Sequence, residues 1–369
     1  CRSFQNCGML PSSMDDRQRL ILLNLIPDLG SLRATRLLQA FGNPSSVVAA
    51  TEPQLRAVEG IGPALAQRIV SGCRKTALLA QELQAAQQAG CAVVTEGDAG
   101  YPQPLRTITD PPLALYLKGA WRQEDRVAVA IVGSRHASVY GQQTAQHLAY
   151  ELALRGVTVV SGLARGIDAA AHRGALQAKG RTLAVLGNGL SLIYPPEHAE
   201  LAREVITHGA LISEYPMRMA PLPRNFPPRN RLISGLSLGV VVVEAAGRSG
   251  ALITADCALE QGREVFAVPG KVDSLTSQGT NRLLKQGARL VTSVEDILEE
   301  LRLELSLVAA TEAGTTAEAV VAEGRAPAAP AKPPPSRRGG EVPNMTDVRP
   351  FRGRPDGGRV RSAGTRSVR

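Results

Sequence analysis

Arginine, glycine and serine residues follow the ends of six short apolar segments between Val127 and Gly270. Apolar character is nearly continuous within each segment, which predicts strands buried on both faces of a parallel sheet. The loops after such strands lie at one edge of the sheet, and the helices they open offer free amide groups to anions. This pattern favours phosphate binding. The basic residues in these loops, or on the helices that follow, are Arg135, Arg165, Arg229, Arg231, Arg248 and Lys271.

The first two loops contain the residue types that bind a phosphate group. Ser134 and the neighbouring amides can cradle the anion while Arg135 binds it with two parallel hydrogen bonds. The alternative is a plain turn with a solvated arginine. The predicted phosphate contacts of these loops are Gly133, Ser134, Arg135, Ser161, Gly162, Arg165 and Gly166.

Asp168 and His172 stand four residues apart on the helix after the second loop, where their side chains come within contact. One interpretation is an acid–base pair that activates Ser134 as a nucleophile. No nucleophile elbow supports such a triad, and an aspartate near a helix start usually stabilises the helix dipole. We therefore predict a capping role for Asp168 and no catalytic residue.

The segment FPPRNRLISG, residues 226–235, places one aromatic ring among two arginines and an amide. Single strands are bound in this way, with a base stacked on the ring, at roughly 1–3 kcal/mol per stacked base, and phosphates held by the arginines. The alternative is that Phe226 packs inward and that the arginines are solvated. The predicted contacts are Phe226, Arg229, Asn230 and Arg231.

The loops after the fifth and sixth strands complete the predicted phosphate-binding edge. Gly247, Ser249 and Gly250 open one helix, and Lys271 lies ahead of another. The glycine pattern is neither that of a P-loop nor that of a dinucleotide-binding loop, and no acidic residue ends the second strand to bind a ribose. The sequence therefore disfavours nucleotide hydrolysis and redox chemistry, and it predicts no cofactor and no metal.

Two domains must position these residues. An α/β domain is predicted at 89–301, with its core at 127–301, and it follows a small helical domain at 14–88. Within the helical domain, Gly60 and Gly62 predict a tight turn, and Pro63 suits the first position of the next helix. The turn resembles a helix-hairpin-helix DNA-binding module, which implies that Gly60 and Gly62 offer amide groups to a DNA phosphate. The alternative is a turn used for packing alone.

The last part of the chain differs from the rest in charge and in composition. The formal net charge is +9, yet residues 324–369 hold eleven basic and three acidic residues, so the remainder is nearly neutral. That stretch also has eight prolines and one aromatic residue, which predicts a disordered tail over 302–369. Its bias resembles an out-of-frame translation, and residues 1–13, ahead of Met14, are predicted to be a non-native or disordered leader.

Cysteine use and hydropathy predict the compartment. Five scattered cysteines without a CxxC pair fit a reduced cytoplasmic protein better than a disulfide framework or a zinc site. No apolar stretch approaches the roughly 20 residues of a membrane span, and the chain shows no secretory pattern. We expect a cytoplasmic protein without a membrane partner.

Taken in order, the motifs resemble the DNA-processing protein A family over about Met14 to Leu301. The matching strings are YP, DPPLALYLKG, GSR, SGLARGIDAAAH, GNGL, IYPP, SEYP, FPPRNRLISG, EAAGRSGALITA and FAVPG. The resemblance implies an extended Rossmann-like, doubly wound, mostly parallel sheet preceded by a helix-hairpin-helix (SAM-like) domain. It implies single-stranded DNA binding without catalysis, protection of incoming DNA, and loading of RecA recombinase during natural transformation.

The resemblance also implies partners besides DNA and RecA. Family members typically form homodimers through the Rossmann-like domain, and the residues that resemble the element used for self-association and RecA contact are Asn281, Leu283 and Leu284. Many relatives end in a winged-helix domain, and residues 308–369 show no such pattern. The function of that domain therefore does not carry over to this chain.

Two other functions stay open. The sheet also resembles nucleotide-processing phosphoribohydrolases, in which a glutamate does the chemistry, and Thr254 occupies that position. Without the carboxylate such an enzyme lacks its general base. A structural adaptor for RecA that makes no DNA contact is the third hypothesis, and its RecA binding would survive the loss of Arg135 and Arg229.

Overall fold

The computed structural model describes residues 14–301, so the predicted leader at 1–13 and the predicted tail at 302–369 lie outside the described residues. The described chain begins with a helical domain whose short helices pack around Leu23, Leu37 and Ile69. These helices are α1 (Asp16–Asn24), α2 (Gly30–Phe41), α3 (Pro44–Ala49), α4 (Glu52–Arg56), α5 (Pro63–Cys73) and α6 (Thr76–Gln88).

Local sequence signals set the ends of these helices. The Asp15 carboxylate accepts a hydrogen bond from the Gln18 amide at 2.7 Å and so caps α1. The predicted tight turn lies between α4 and α5. Gly60 has a φ of +84°, which suits glycine, and Pro63 is the first residue of α5.

A nine-stranded sheet forms the centre of the α/β domain as far as the structure describes it. The strands are β1 (Ala92–Val94), β2 (Leu115–Gly119), β3 (Ala128–Val132), β4 (Thr158–Ser161), β5 (Thr182–Val185), β6 (Ala210–Ser213), β7 (Gly239–Val242), β8 (Glu264–Ala267) and β9 (Arg289–Leu290). Their spatial order is β1-β2-β6-β5-β4-β3-β7-β8-β9, parallel from β6 to β9, with β2 antiparallel to β1 and β6. The six predicted strands correspond to β3–β8.

Helices cover both faces of this sheet, which confirms the predicted doubly wound, Rossmann-like fold. Leu232 and Leu252 pack on one face, and Leu148 and Ile167 pack on the other. Residues 294–301 are also helical. The other helices are α7 (Val139–Leu154), α8 (Ile167–Gln177), α9 (Ala199–His208), α10 (Phe226–Gly235), α11 (Gly250–Glu260) and α12 (Gln278–Lys285).

The direction in which the sheet grows reverses at β3. From β3 the chain adds β4, β5 and β6 on one side, and it then returns to place β7 on the other side of β3. The loops after β3 and β7 therefore separate and leave a crevice at the carboxyl ends of these strands. Ligands of open α/β sheets bind at such a crevice.

The helical domain packs directly on the α/β domain. Ile21 of α1 and Leu79 of α6 share an apolar cluster with Tyr116 of β2 and Leu211 of β6. Because these side chains are all buried, the hydrophobic effect holds the two domains together.

Candidate nucleic-acid interface

A cavity of about 450 Å³ lies at the carboxyl ends of β3 and β7. We call it the switch-point cavity. Its walls are the loops after these two strands, the start of α11 and one side of α10. The predicted site residues that line it are Gly133, Ser134, Arg135, Phe226, Arg229, Asn230, Ser249 and Gly250. Segments that are far apart in the sequence therefore meet at a space large enough for a ligand.

Phe226 presents its ring to this cavity. It is the first residue of α10, and the prolines that follow occupy a helix start, where the missing amide donors cost little. The Arg135 guanidinium lies 5.4 Å from the ring centroid, and that of Arg229 lies 5.7 Å from it, both within cation–π range. The Tyr194 ring approaches at 5.8 Å between centroids. Phe226 is half-buried in this cluster, so it does not belong to the sheet core.

Arg229 is buried beneath Phe226. Its Nη1 donates hydrogen bonds to the carbonyl oxygens of Gly162, at 3.1 Å, and of Val185. Burial lowers its pKa to about 10, with the charge of Asp168 opposing the shift, so the guanidinium stays charged at neutral pH. Burial also raises the pKa of Asp168, against the effect of Arg229. Arg229 therefore supplies a fixed positive charge under the ring.

Two glycines allow close approach of the chain around residues that line the cavity. A Cβ on Gly162 would lie 2.7 Å from Oδ2 of Asp168 and 2.8 Å from Nη2 of Arg229. A Cβ on Gly166 would lie 2.3 Å from the carbonyl oxygen of Ser134, and the φ of Gly166 is +73°. Neither position has room for a side chain, as predicted for Gly166.

Arg165 lies on the outer rim of the site, where it pairs with Glu197. Hydrogen bonding to Arg165 lowers the pKa of Glu197. Gly162, Arg165, Arg135 and Phe226 border one small recess, so the second predicted loop reaches the aromatic cluster from its side. The pair is exposed to water, which screens it, and a phosphate can therefore replace the Glu197 carboxylate.

Ser161 and Arg231 turn their side chains to the interior and do not line the switch-point cavity, so this placement does not support the predicted phosphate contacts of these two residues. The Ser161 hydroxyl is buried and donates to the Ile131 carbonyl oxygen at 2.6 Å, which joins β4 to β3. Arg231 forms ion pairs with Asp110 at 2.8 Å and Glu214 at 2.5 Å. Side chains two residues apart on a helix point to different sides, so Arg231 leaves α10 away from the cavity that Arg229 lines.

The residues predicted for self-association are largely turned inward. Leu283 is only 5% exposed and packs in the core on the sheet, so its side chain is not a contact surface. The Asn281 amide group donates to the carbonyl oxygen of Gly270 at 3.1 Å and accepts from its amide at 3.3 Å. Leu284 is half-buried against the same core. The short helix α12 uses its apolar face to cover the sheet.

Three other predicted groups lie outside the switch-point cavity. Lys271 is exposed beside a separate cavity, and Gly247 packs near the Gln278 side chain. In the helical domain, Gly60 and Gly62 border a groove of about 300 Å³ together with two arginines. DNA contact by this turn stays a prediction.

His172 turns towards Thr182 and not into the cavity. The side chain is fully buried, and its Nδ1 lies 2.7 Å from Oγ1 of Thr182. Burial lowers its pKa to about 3, and the nearby His198 adds to the shift, so the ring is neutral at physiological pH. Asp168 lies in the first turn of α8, where its charge suits the helix dipole, but the N-cap is Gly166 and no side chain caps this helix, so the predicted capping role is wrong. Thr254 lines the cavity. This arrangement does not favour the acid–base pair.

Tyr194 lines the switch-point cavity and Glu244 contacts Ser134 of its lining, and neither was among the predicted site residues. Tyr194 lines the cavity beside Phe226. Its place in the IYPP string could have identified it from the sequence. Glu244 follows β7 and is 5% exposed, with its carboxylate accepting hydrogen bonds from the Ser138 amide at 2.9 Å and hydroxyl at 2.5 Å. A charged residue at the end of an apolar strand was its signal.

Neither a metal site nor a membrane helix is found in the described part of the chain. Over residues 14–301, no group of three or more His, Cys, Asp or Glu side chains is placed to hold a metal ion. Over the same residues, no helix has the length and apolar character needed to cross a membrane.

Comparison with known proteins matches both domains. The profile of the family described as DNA recombination-mediator protein A matches residues 92–302, and that of the SAM-like helix-hairpin-helix tandem matches residues 20–75. Protein Smf of Escherichia coli is 49% identical over 241 residues, which span 65% of this chain and 64% of that protein. DNA processing protein DprA of Bacillus subtilis is 44% identical over 224 residues, 60% of this chain and 75% of the relative.

Solved structures agree with these matches. The X-ray structure of DNA processing protein A from Streptococcus pneumoniae has 35% identity and a TM-score of 0.67, and it covers 78% of this chain and 99% of that one. DNA processing protein A from Helicobacter pylori has 30% identity and a TM-score of 0.52, over 58% of this chain and 96% of that one. The chain therefore belongs to the DNA recombination-mediator protein A family.

Proposed function

We propose that the protein binds single-stranded DNA at the switch-point cavity and in this way protects incoming DNA and helps to load RecA during natural transformation. The observation that carries the proposal is the half-buried ring of Phe226 with the Arg135 and Arg229 guanidinium groups within 6 Å of its centroid. A base can stack on such a ring while its phosphate lies beside the cations. The relative from Helicobacter pylori has a single-stranded DNA binding mode, which supports the same activity here.

Base stacking inside a cavity favours single strands over duplex DNA. The bases of a duplex are already stacked and paired, so a flipped base costs a few kcal/mol before it reaches Phe226. Contacts with phosphates and with a ring carry no sequence information, so we expect little sequence preference. Arg135 suits this role because it is exposed at the rim of the cavity, beside the Phe226 ring.

The remaining parts of the proposal follow the family. We propose that the protein acts as a homodimer that contacts RecA through the side of the sheet formed by α12 and β9. Leu290 of β9 is exposed there, in contrast to the buried Leu283. We also propose that it works in the cytoplasm, where the thiols of Cys73, Cys91 and Cys257 stay free. The binding function needs no catalytic step.

Replacement of Arg135 by Ala tests the DNA contact directly. A charge-assisted hydrogen bond contributes about 1.5–3 kcal/mol, so we expect the affinity for an oligothymidine strand to fall roughly 10- to 150-fold. The slope of log affinity against log salt should become shallower by about 0.7, because one phosphate contact is lost. Fluorescence anisotropy at several salt concentrations measures both quantities.

Arg203→Ala is the matched control, because Arg203 is exposed on α9 and its loss removes the same charge. We expect this variant to bind as the wild type does. Equal affinities for the Arg135 and Arg203 variants would contradict the assignment of the cavity. Binding of RecA by a protein that has lost DNA binding would instead support the adaptor alternative.

A further inference from the structure

A second cavity lies close to the switch-point cavity, and Glu244 contacts a lining residue of each. It has a volume of about 550 Å³ and lies between the start of α7 and the loop after β8. We call it the Tyr140 cavity. The carbonyl oxygen of Glu244 accepts a hydrogen bond from the Ser134 amide at 2.7 Å, at the switch-point cavity. The Glu244 carboxylate binds Ser138, at the Tyr140 cavity.

The wall between the cavities is rigid. Ser138 is the N-cap of α7, and its hydroxyl accepts a hydrogen bond from the Gly141 amide at 3.0 Å. A Cβ on Gly141 would lie 2.5 Å from Cδ of Glu244, so the first turn of α7 rests on this carboxylate. A carboxylate at a helix start is stabilised by the helix dipole. The backbone of Tyr140, on the same turn, is therefore anchored beside the cavity.

The exposed aromatic rings of the described chain point to what both cavities bind. Over residues 14–301, the exposed aromatic side chains are Tyr140, with 58% of its surface accessible, and Tyr194, with 36%. Tyr194 lines the switch-point cavity and Tyr140 lines its neighbour. An exposed ring beside a concave site offers a nucleic-acid base a face on which to stack.

The rest of the Tyr140 cavity has the chemistry of a phosphate contact. Lys271 is exposed on the loop after β8. Ser274, Thr276 and Ser277 line the same space, and the Ser274 and Thr276 hydroxyl groups are hydrogen-bonded to each other at 2.9 Å. A ring for a base, an ammonium group and several hydroxyl groups together match one nucleotide.

We propose that the Tyr140 cavity is a second nucleotide subsite, in which the strand that occupies the switch-point cavity continues past Glu244. A base stacks on Tyr140, and the adjoining phosphate lies beside Lys271. The chain from Arg135 to Ser138 spans at most about 10 Å, so an oligonucleotide reaches both cavities. This inference rests on the proposed function, because it extends the same binding site.

The test is a series of oligothymidines of increasing length, measured by fluorescence anisotropy with the full chain. Tyr140→Ala should leave the affinity for the shortest bound oligomer unchanged and lower that for longer ones about 5- to 150-fold, as the loss of one stacked base predicts. Tyr140→Phe keeps the ring and should bind the longer oligomers as tightly as the wild type does. Lys271→Ala should make the salt slope shallower by about 0.7 for the longer oligomers only. A 2-aminopurine base placed where the strand reaches the Tyr140 cavity should be quenched when the wild type binds it. Its fluorescence should recover when Tyr140→Ala binds the same oligomer.

Failure of the second subsite can be distinguished from failure of the proposed function. If the wild type binds no oligothymidine of any length, both the proposed function and the second subsite are overturned. If Phe226→Ala weakens binding at every length while Tyr140→Ala weakens it at none, only the second subsite is overturned. If Tyr140→Ala changes the particle mass in light scattering and has an equal effect at all lengths, the cavity is an interface between copies, and the subsite is again overturned.

Discussion

Replacement of Phe226 by Ala is the sharpest test of the proposed mode of binding. The change removes the ring and leaves every charge of the cavity in place. Arg229 stays anchored by its hydrogen bonds to Gly162 and Val185, and these do not involve the ring. The variant therefore separates stacking from electrostatic attraction.

The magnitude follows from the contacts of the ring. Loss of one stacked base costs roughly 1–3 kcal/mol. Arg135 lies 5.4 Å from the ring centroid, and loss of this exposed cation–π contact, which orders a phosphate-binding side chain, costs about 0.5–1 kcal/mol more. The sum predicts that the affinity for single strands falls about 10- to 1000-fold. The salt slope should not change, because no phosphate contact is removed.

Fluorescence anisotropy with a labelled oligothymidine, at several salt concentrations, measures affinity and slope together. Phe226→Tyr is the matched control, since it keeps the ring and the helix start, and we expect it to bind within a few-fold of the wild type. Circular dichroism verifies that both variants are folded. An affinity of Phe226→Ala equal to that of the wild type, or a loss that appears only as a changed salt slope, would refute the stacking argument.

Two buried groups give further predictions about stability. His172 has a pKa of about 3 in the folded protein and 6.5 in the unfolded chain. Protonation of the unfolded chain therefore lowers the free energy of unfolding as the pH falls below 6.5. In urea unfolding, the wild type should lose about 2 kcal/mol more stability between pH 7 and pH 5 than His172→Gln does. Equal losses in the two proteins would contradict this. Arg231→Ala leaves Asp110 and Glu214 without their cation, so we expect a loss of about 3–5 kcal/mol and a lower melting temperature. The folded fraction of this variant should still bind oligothymidine. Loss of DNA binding by protein that is still folded would show that Arg231 contributes to the DNA site.

The sequence alone was sufficient for the six strands β3–β8 and for the loops that line the candidate site. Buried parallel strands need apolar residues on both faces, so β3–β8 are visible as continuous apolar segments. The motifs around Gly133, Phe226 and Ser249 follow these strands, and the topology of a parallel sheet places their loops at one edge. The close approach at Gly166 was also predictable from a glycine between a strand and a helix, and its neighbours indeed leave no room for a Cβ.

Tertiary structure decided which side chains of those loops face the switch-point cavity. Arg229 and Arg231 are equally basic and two residues apart, yet one lies under Phe226 and the other forms ion pairs with Asp110 and Glu214. The partners of Arg231 come from distant parts of the chain, and no local pattern contains them. The same holds for Leu283, whose burial depends on how α12 lies on the sheet. Local spacing specifies strands and turns, whereas the direction of a side chain is set by the packing of elements that are remote in sequence.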